Sequence, residues 1–311
     1  MRLFRPTREG ARQAANADRR PVRDVAVFTM ARDEAAMLPR WVDYYAGQVG
    51  VDNLLVLDDN SVDGSTDKLP CTVHRLPRLP GKEQYEYARM SLISGISAGL
   101  LAAYDTVVFV DVDEFLVPDP SRYAGLVDFL KDREDRDAIA PMTLNVLHVP
   151  DLEAPIEADK PVLGQRRFAK FVPVMCKPSI KRVPANWRGA CHGIMAPFEV
   201  DRGLFMLHLK FYDKDALVKV SDHRRALVDE DGRAYRSNWA VGGAEMAASL
   251  TSFIGDTDLG TVPEFDPATV DLGGIVKRRD HGGYRATGAA QVKAMHQQPL
   301  RRIPERLHGI V

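Results

Sequence analysis

The 311-residue chain is 45% hydrophobic and 27% charged with a net charge of -1, so it is an ordinary globular protein with no global field to attract nucleic acid. Its three cysteines, Cys71, Cys176 and Cys191, are odd in number and lack a C-x-x-C pair, which argues against a disulfide framework or a structural zinc and fits a reducing cytosol. The most apolar stretch, Leu92 to Tyr104, is interrupted by Gly95, Ser97 and Gly99, so a membrane span is not expected.

Residues 1–23 carry seven arginines against Glu9 and Asp18 and lack the apolar core of a signal peptide. A disordered, solvated arm is expected, with peripheral contact to anionic lipid as its alternative role. The folded part begins at Asp24, where VAVFTM (Val25 to Met30) reads as a buried strand. Met37, Leu38, Trp41, Val42 and Tyr45 then recur at helical spacing, after acids at Asp33 and Glu34 and with Pro39 near the helix start. Asn53 to Leu57 predicts a second strand, ending in the loop DDNSVDGSTD. A third strand is expected over Cys71 to Leu76, then a Pro/Gly-rich connection and a helix from about Glu83 to Ala103.

The next stretch, DTVVFVDVDEFLVP (Asp105 to Pro118), organises the rest. Val107, Val108, Phe109 and Val110 read as a strand buried on both faces, and it stops at Asp111, Asp113 and Glu114. Alternating strands and helices over residues 24–118 predict an α/β fold with a mostly parallel sheet. Three loops, Ala31–Glu34, Asp58–Asp67 and Asp111–Glu114, then gather at the carboxyl edge of the sheet, where such folds hold ligands. Clustered carboxylates suit Mg2+ or Mn2+ bound together with phosphate. Neither a Walker loop nor a Gly-X-Gly-X-X-Gly turn is present, which lowers the case for a P-loop hydrolase or a nicotinamide dehydrogenase. Further on, Leu204 to Leu207 read as an apolar strand carrying His208 inward, and a short helix is expected from Gly288 to His296 within a basic tail.

ARDEAAMLPRWVDYYAGQVGVDNLLVLDDNSVDGST followed by FVDVDEFLVP resembles the nucleotide-sugar glycosyltransferases of the GT-A fold, in a family 2-like branch related to family 92. KPSI (Lys177 to Ile180), His192 and LHLKFYDKDALVKV (Leu207 to Val220) match that branch more loosely; Leu209 stands where the branch has tyrosine, and Lys210 is one residue off the lysine spacing. The resemblance implies a GT-A-like, Rossmann-like domain. Residues 24–150 would be its nucleotide-sugar half and 151–274 its acceptor half, between the arm and a basic tail over 275–311. It implies transfer of a hexose from a donor, UDP-linked by expectation, to a glycan or lipid-linked glycan at the cytoplasmic face.

Ala31, Arg32 and Glu34 with Asp58 or Asp59 would hold the base, and Lys82 and Arg89 would reach the diphosphate or base. Asp111 would lie near the ribose and metal, Val112 between the two acids, and Asp113 on a Mn2+ or Mg2+ ion, with His208 as a further metal ligand. His192 and Glu245 are the candidate general bases. Two other readings compete. One is a haloacid-dehalogenase-type phosphatase using Asp111 as nucleophile, although Phe115 fills a position where that motif carries Thr or Val. The other is a sugar-nucleotide or polysaccharide binding module without turnover.

Overall fold

The computed structural model describes residues 25–82 and 84–311; the basic arm lies outside them. Strand β1 (Val25–Ala31) is flanked in parallel by β2 (Leu54–Asp58) and β4 (Thr106–Phe109), with Val27 opposite both Leu54 and Val108. β3 (Thr72–Arg75) joins β2 in parallel. A strand with neighbours on both edges and helices over its faces must be apolar on both sides, which is why VAVF and TVVF are buried throughout.

Helix α1 (Leu38–Val49) crosses between β1 and β2 and buries Leu38, Trp41, Val42 and Tyr45, the i, i+3, i+4, i+7 face. Pro39 sits in its first turn, where a missing N–H costs nothing, and Gly50 at φ 87° ends it. Helix α2 (Gln84–Leu100) crosses from β3 to β4, and the short α3 (Leu126–Lys131) follows β5 (Glu114–Pro118).

Beyond β4 the sheet becomes mixed. The fully buried β6 (Ala138–Leu147) has β7 (Phe168–Phe171) and β8 (Ile180–Lys181) antiparallel along one edge. The long β11 (Glu199–Phe211) runs parallel along its other edge, and β11 also pairs antiparallel with β5. β8 in turn pairs with β4, so one ten-stranded sheet runs through the molecule. A separate four-stranded sheet joins β9 (Trp187–Arg188), β10 (Gly193–Ile194), β12 (Val276–Arg278) and β13 (Tyr284–Ala286).

Helices α4 (Lys214–Asp231), α5 (Gly243–Ile254) and α6 (Gln291–Gln297) contribute Leu217, Met246, Leu250, Phe253 and Met295 to a second apolar cluster around Phe211. The last residues are not an appended tail. β14 (Arg301–Arg302) pairs with β7, while Ile303, Leu307 and Val311 bury in the main core. Burial of apolar side chains that local sequence left among arginines accounts for the difference.

Candidate functional site

The first two loops interlock at the carboxyl end of β1 and β2. Arg32 Nη1 donates to the Asp59 carbonyl at 2.9 Å, and the Asp33 carboxylate accepts from the Val62 and Asp63 amides at 2.7 and 3.2 Å. Asp33 and Asn60 have φ of 53° and 60°, a left-handed conformation that Asp and Asn tolerate better than most residues. Ala31 ends β1 opposite Asp58, and its carbonyl takes the Asp59 amide.

Asp58 is fully buried and occupied: it accepts from the Ser61 amide, Thr66 Oγ1 and Arg75 Nε at 2.7 to 2.9 Å. These bonds shape the loop and use most of its acceptor capacity. Asp59 is also committed, to the Leu79 amide at 3.2 Å and to buried Arg233 Nη1 at 3.0 Å, an arginine that Asp231 fixes from its other side. These internal partners hold both carboxylates in place, and Asp59, with one partner on each oxygen, keeps acceptor lone pairs for a base N–H.

At the third loop, Asp111 is ion-paired on both oxygens, with Arg89 Nη2 at 2.6 Å and Lys177 Nζ at 2.9 Å. Burial would raise its carboxyl, but Lys177 and Arg89 hold it well below the usual carboxylate range. Lys177 also lies 2.6 Å from Glu114 Oε1, and Glu114 Oε2 accepts the Asp111 amide. Burial raises the Glu114 carboxyl against the pull of Lys177. Asp111 is therefore an ionised residue anchored by two cations, with its side chain still 31% exposed. Val112 is buried between the acids.

Asp113 makes no ion pair with Arg89 or Lys177 among the described residues, although the charge of Asp111 bears on it. Asp113 Oδ2 is 3.6 Å from His208 Nε2, and its carboxyl is held down to about 2, against burial, by His208 and Arg224. Strand register makes this pair: His208 on β11 lies opposite Glu114 on β5 and opposite Asn145 on β6. His208 Nδ1 is 2.8 Å from Asn145 Oδ1, and Asn145 Nδ2 donates to the Lys170 carbonyl. Nδ1 faces Asn145 Oδ1 and Nε2 faces Asp113, so a proton on Nε2 would bind the carboxylate and a metal ion between the two would take that proton's place.

A carboxylate beside an imidazole whose far nitrogen is fixed by a hydrogen bond is a donor set that suits Mn2+. No cluster of three or more such ligand side chains forms among the described residues, and ions of this kind commonly take one or two protein ligands and complete their shell with substrate phosphate. The residues present fit that pattern.

Glu34, expected at the base, is paired with Arg224 Nη2 at 3.2 Å; burial and, less, the charges of Asp113 and Asp111 raise its carboxyl, while Arg224 offsets them. Lys82 is exposed, its backbone tied to Asp231 at the end of α4, and no contact joins it to the acids among the described residues. Glu245 is exposed in the first turn of α5, and it too has no contact with those acids. The expectation of a base there is not supported by its position.

His192 does lie near the acids. It follows a turn in which Gly189, Ala190 and Cys191 all have positive φ, of 52°, 54° and 63°, a run that costs strain at the two non-glycine residues. Its Nδ1 must donate to the Val174 carbonyl at 2.7 Å, which leaves Nε2 unprotonated. Burial first, then Lys177 and Arg285, push the ring down to about 3. It is neutral and a weak base.

Sequence reasoning did not single out Asn145, Arg224 or Arg233, and it noted Lys177 only through the KPSI motif. Asn145 carried a signal, a lone amide in the buried run AIAPMTLNVL. Arg224 and Arg233 carried none, because nothing local distinguishes them from surface arginines.

No protein-family model and no curated protein sequence matches the chain. Among solved structures it is similar to the mannosyltransferase PcManGT from Pyrobaculum calidifontis in complex with GDP-Man and Mn2+, at 22% identity over 40% of this chain and 36% of that one, with a TM-score of 0.28. It is also similar to glucosyl-3-phosphoglycerate synthase from Mycobacterium tuberculosis in complex with Mn2+, UDP-Glc and phosphoglyceric acid, at 26% identity over 45% and 50% of the two chains, with a TM-score of 0.27. The match thus spans half or less of each of those structures, and likeness at that score carries no weight for activity. The architecture itself is α/β: a mixed sheet, parallel over β3-β2-β1-β4, flanked by helices, with acids gathered at its carboxyl edge.

Proposed function

We propose that the chain is a metal-dependent glycosyltransferase of GT-A type, moving a hexose from a nucleotide-sugar donor, UDP-linked by preference, to a hydroxyl of a glycan or lipid-linked glycan. The observation that carries this reading is the Asp113–His208 pair, set beside the ion-paired Asp111, with Asn145 hydrogen-bonded to the imidazole. When bound there, Mn2+ or Mg2+ supplies electrophilic stabilisation of the charge that builds on a departing diphosphate.

The chain's own residues do the rest. Asp113 and His208 would hold the ion, and Arg224, whose charge bears on Asp113, adds positive field for the phosphates, while burial pushes Lys210 down to about 7 and leaves it only partly charged. Asp111, kept ionised by Arg89 and Lys177, retains lone pairs for a ribose hydroxyl. His192 presents Nε2 as a hydrogen-bond acceptor that orients an attacking hydroxyl. The phosphatase reading requires Asp111 as a free nucleophile, and its two ion pairs count against that role.

The test is UDP binding measured by thermal shift with and without Mn2+, since a ligand that binds only the native state raises its stability. Wild type is expected to gain melting temperature with UDP only when Mn2+ is present. Asp113→Ala should keep the fold by circular dichroism and lose that gain. Equal Mn2+-dependent stabilisation in the variant would sink the assignment.

A further inference from the structure

The small sheet has two unlike faces. Strand register sets Arg188 opposite Gly193, Gly193 opposite Arg285, and Arg285 opposite Lys277, one row across four strands. Since side chains alternate along a strand, the neighbouring row takes the other face. There Trp187 and Ile194 are buried in the main core. The outward row is therefore three cations and a glycine.

No acid pairs with Arg188, Lys277, Arg279 or Arg285 among the described residues, whereas Arg89, Arg133, Arg224 and Arg233 all have carboxylate partners. Gly193 matters to the row. A Cβ there would lie 2.8 Å from the Tyr284 carbonyl and 3.3 Å from Arg285 Cβ, so the glycine lets Arg285 lie close across the strand. The Arg285 guanidinium then reaches Gly189, whose added Cβ would stand 2.7 Å from Nη1. Gly189 opens the strained turn that delivers His192, and the charges of Arg285 and Lys177 both bear on that ring. The unpaired row is thus continuous with the site.

We infer that this row is an acceptor subsite for an anionic group, a phosphate or carboxylate carried by the molecule that receives the sugar. The inference rests on the proposed glycosyl transfer and names its substrate class. Unpaired guanidinium groups beside one another repel, and a dianion that takes their hydrogen bonds relieves that repulsion. Arg285 is held below its ordinary value by burial and by Arg279, as expected of a cation waiting for a counter-ion. An anion there would also offset the charge that Arg285 exerts on His192, making the imidazole a better proton acceptor once the acceptor is seated.

The probes are glycerol 2-phosphate against glycerol, and vesicles of phosphatidylglycerol in phosphatidylcholine against phosphatidylcholine alone. Binding is measured by calorimetry and by vesicle sedimentation at two salt concentrations. The phosphate monoester is expected to bind, glycerol not, with affinity falling as salt rises. Arg188→Gln and Lys277→Gln, both at exposed ends of the row, should each weaken it about tenfold, the low end of the scale of one charge-assisted hydrogen bond. Arg285→Gln should weaken it further; because that side chain packs on the turn, the two exposed variants carry the test. Binding to anionic vesicles alone, lost in the same variants, supports the subsite with a lipid headgroup as its source. Monoester and vesicle binding that are both absent, or unchanged in the variants, overturn it. Mn2+-dependent UDP binding is measured in parallel on wild type, so failure of the donor reading is seen separately from failure of the subsite.

Discussion

Asn145 is fully buried on β6, and each of its polar atoms has work inside the protein: Oδ1 faces His208 and accepts from Gln291 Nε2 at 2.9 Å, while Nδ2 donates to Lys170. A residue that orients a metal-binding imidazole is worth about 10- to 100-fold in metal affinity. Asn145→Leu is accordingly expected to weaken Mn2+ binding, measured by electron paramagnetic resonance in the presence of UDP, by about tenfold. Asn145→Asp, which keeps an acceptor at Oδ1, should restore part of that loss. If the leucine variant binds Mn2+ like wild type, the imidazole is not a ligand. At this scale the sequence was partly legible. The acids at the end of β4 were legible because they close a strand apolar on both faces, at the edge where such sheets hold ligands. Their partners did not, since Lys177 lies 66 residues from Asp111 and Arg224 lies 190 from Glu34.

Helix α4 links the second apolar cluster to the site, burying Leu217 while sending Arg224 to Glu34 and His223 to within 3.4 Å of Asp33. Its position depends on a close crossing with α5. At Gly243 an added Cβ would come 2.6 Å from the Val218 carbonyl and 2.8 Å from Asp222 Oδ2, and the Gly243 amide donates to Asp222 Oδ1 at 2.7 Å. Backbone cannot yield as a side chain does, so Gly243→Ala should cost about 2 kcal/mol, the usual scale of overpacking. Urea unfolding monitored by circular dichroism checks it; an unchanged midpoint would mean that the helices separate without penalty. The elements themselves were readable from local pattern. The predicted strands and helices over residues 25–118 appear within a few residues of their expected limits, because hydrophobic period and turn chemistry act over short spans.

Across the molecule, the joint between the parallel and mixed parts of the sheet holds a buried lysine. Lys181 on β8 donates to the Ala185 carbonyl at 2.7 Å, lies 3.9 Å from the centre of the Trp187 ring, and burial pushes it down to about 8. With the folded value below the unfolded 10.5, the charge is a penalty on folding that is complete below about pH 8, shrinks as pH rises, and is gone above 10.5. On that basis Lys181→Met is expected to gain at most about 3 kcal/mol at pH 7, less the cost of the unpaired Ala185 carbonyl, and its advantage over wild type should shrink as pH approaches 10.5. Stability of both proteins by urea titration at several pH values decides; a difference independent of pH would show that packing, not charge, is at stake. By itself the sequence determined the alternation of buried strands and helices and the acids crowning the strand ends, since these follow from which side chains avoid water within one short segment. Only the tertiary structure decided that Asp111 would be locked between Arg89 and Lys177, that Asp113 would be left beside His208, and that the final residues would fold into the core. Those outcomes depend on strand register and on charges meeting across long stretches of chain, and register is settled when whole faces are buried together.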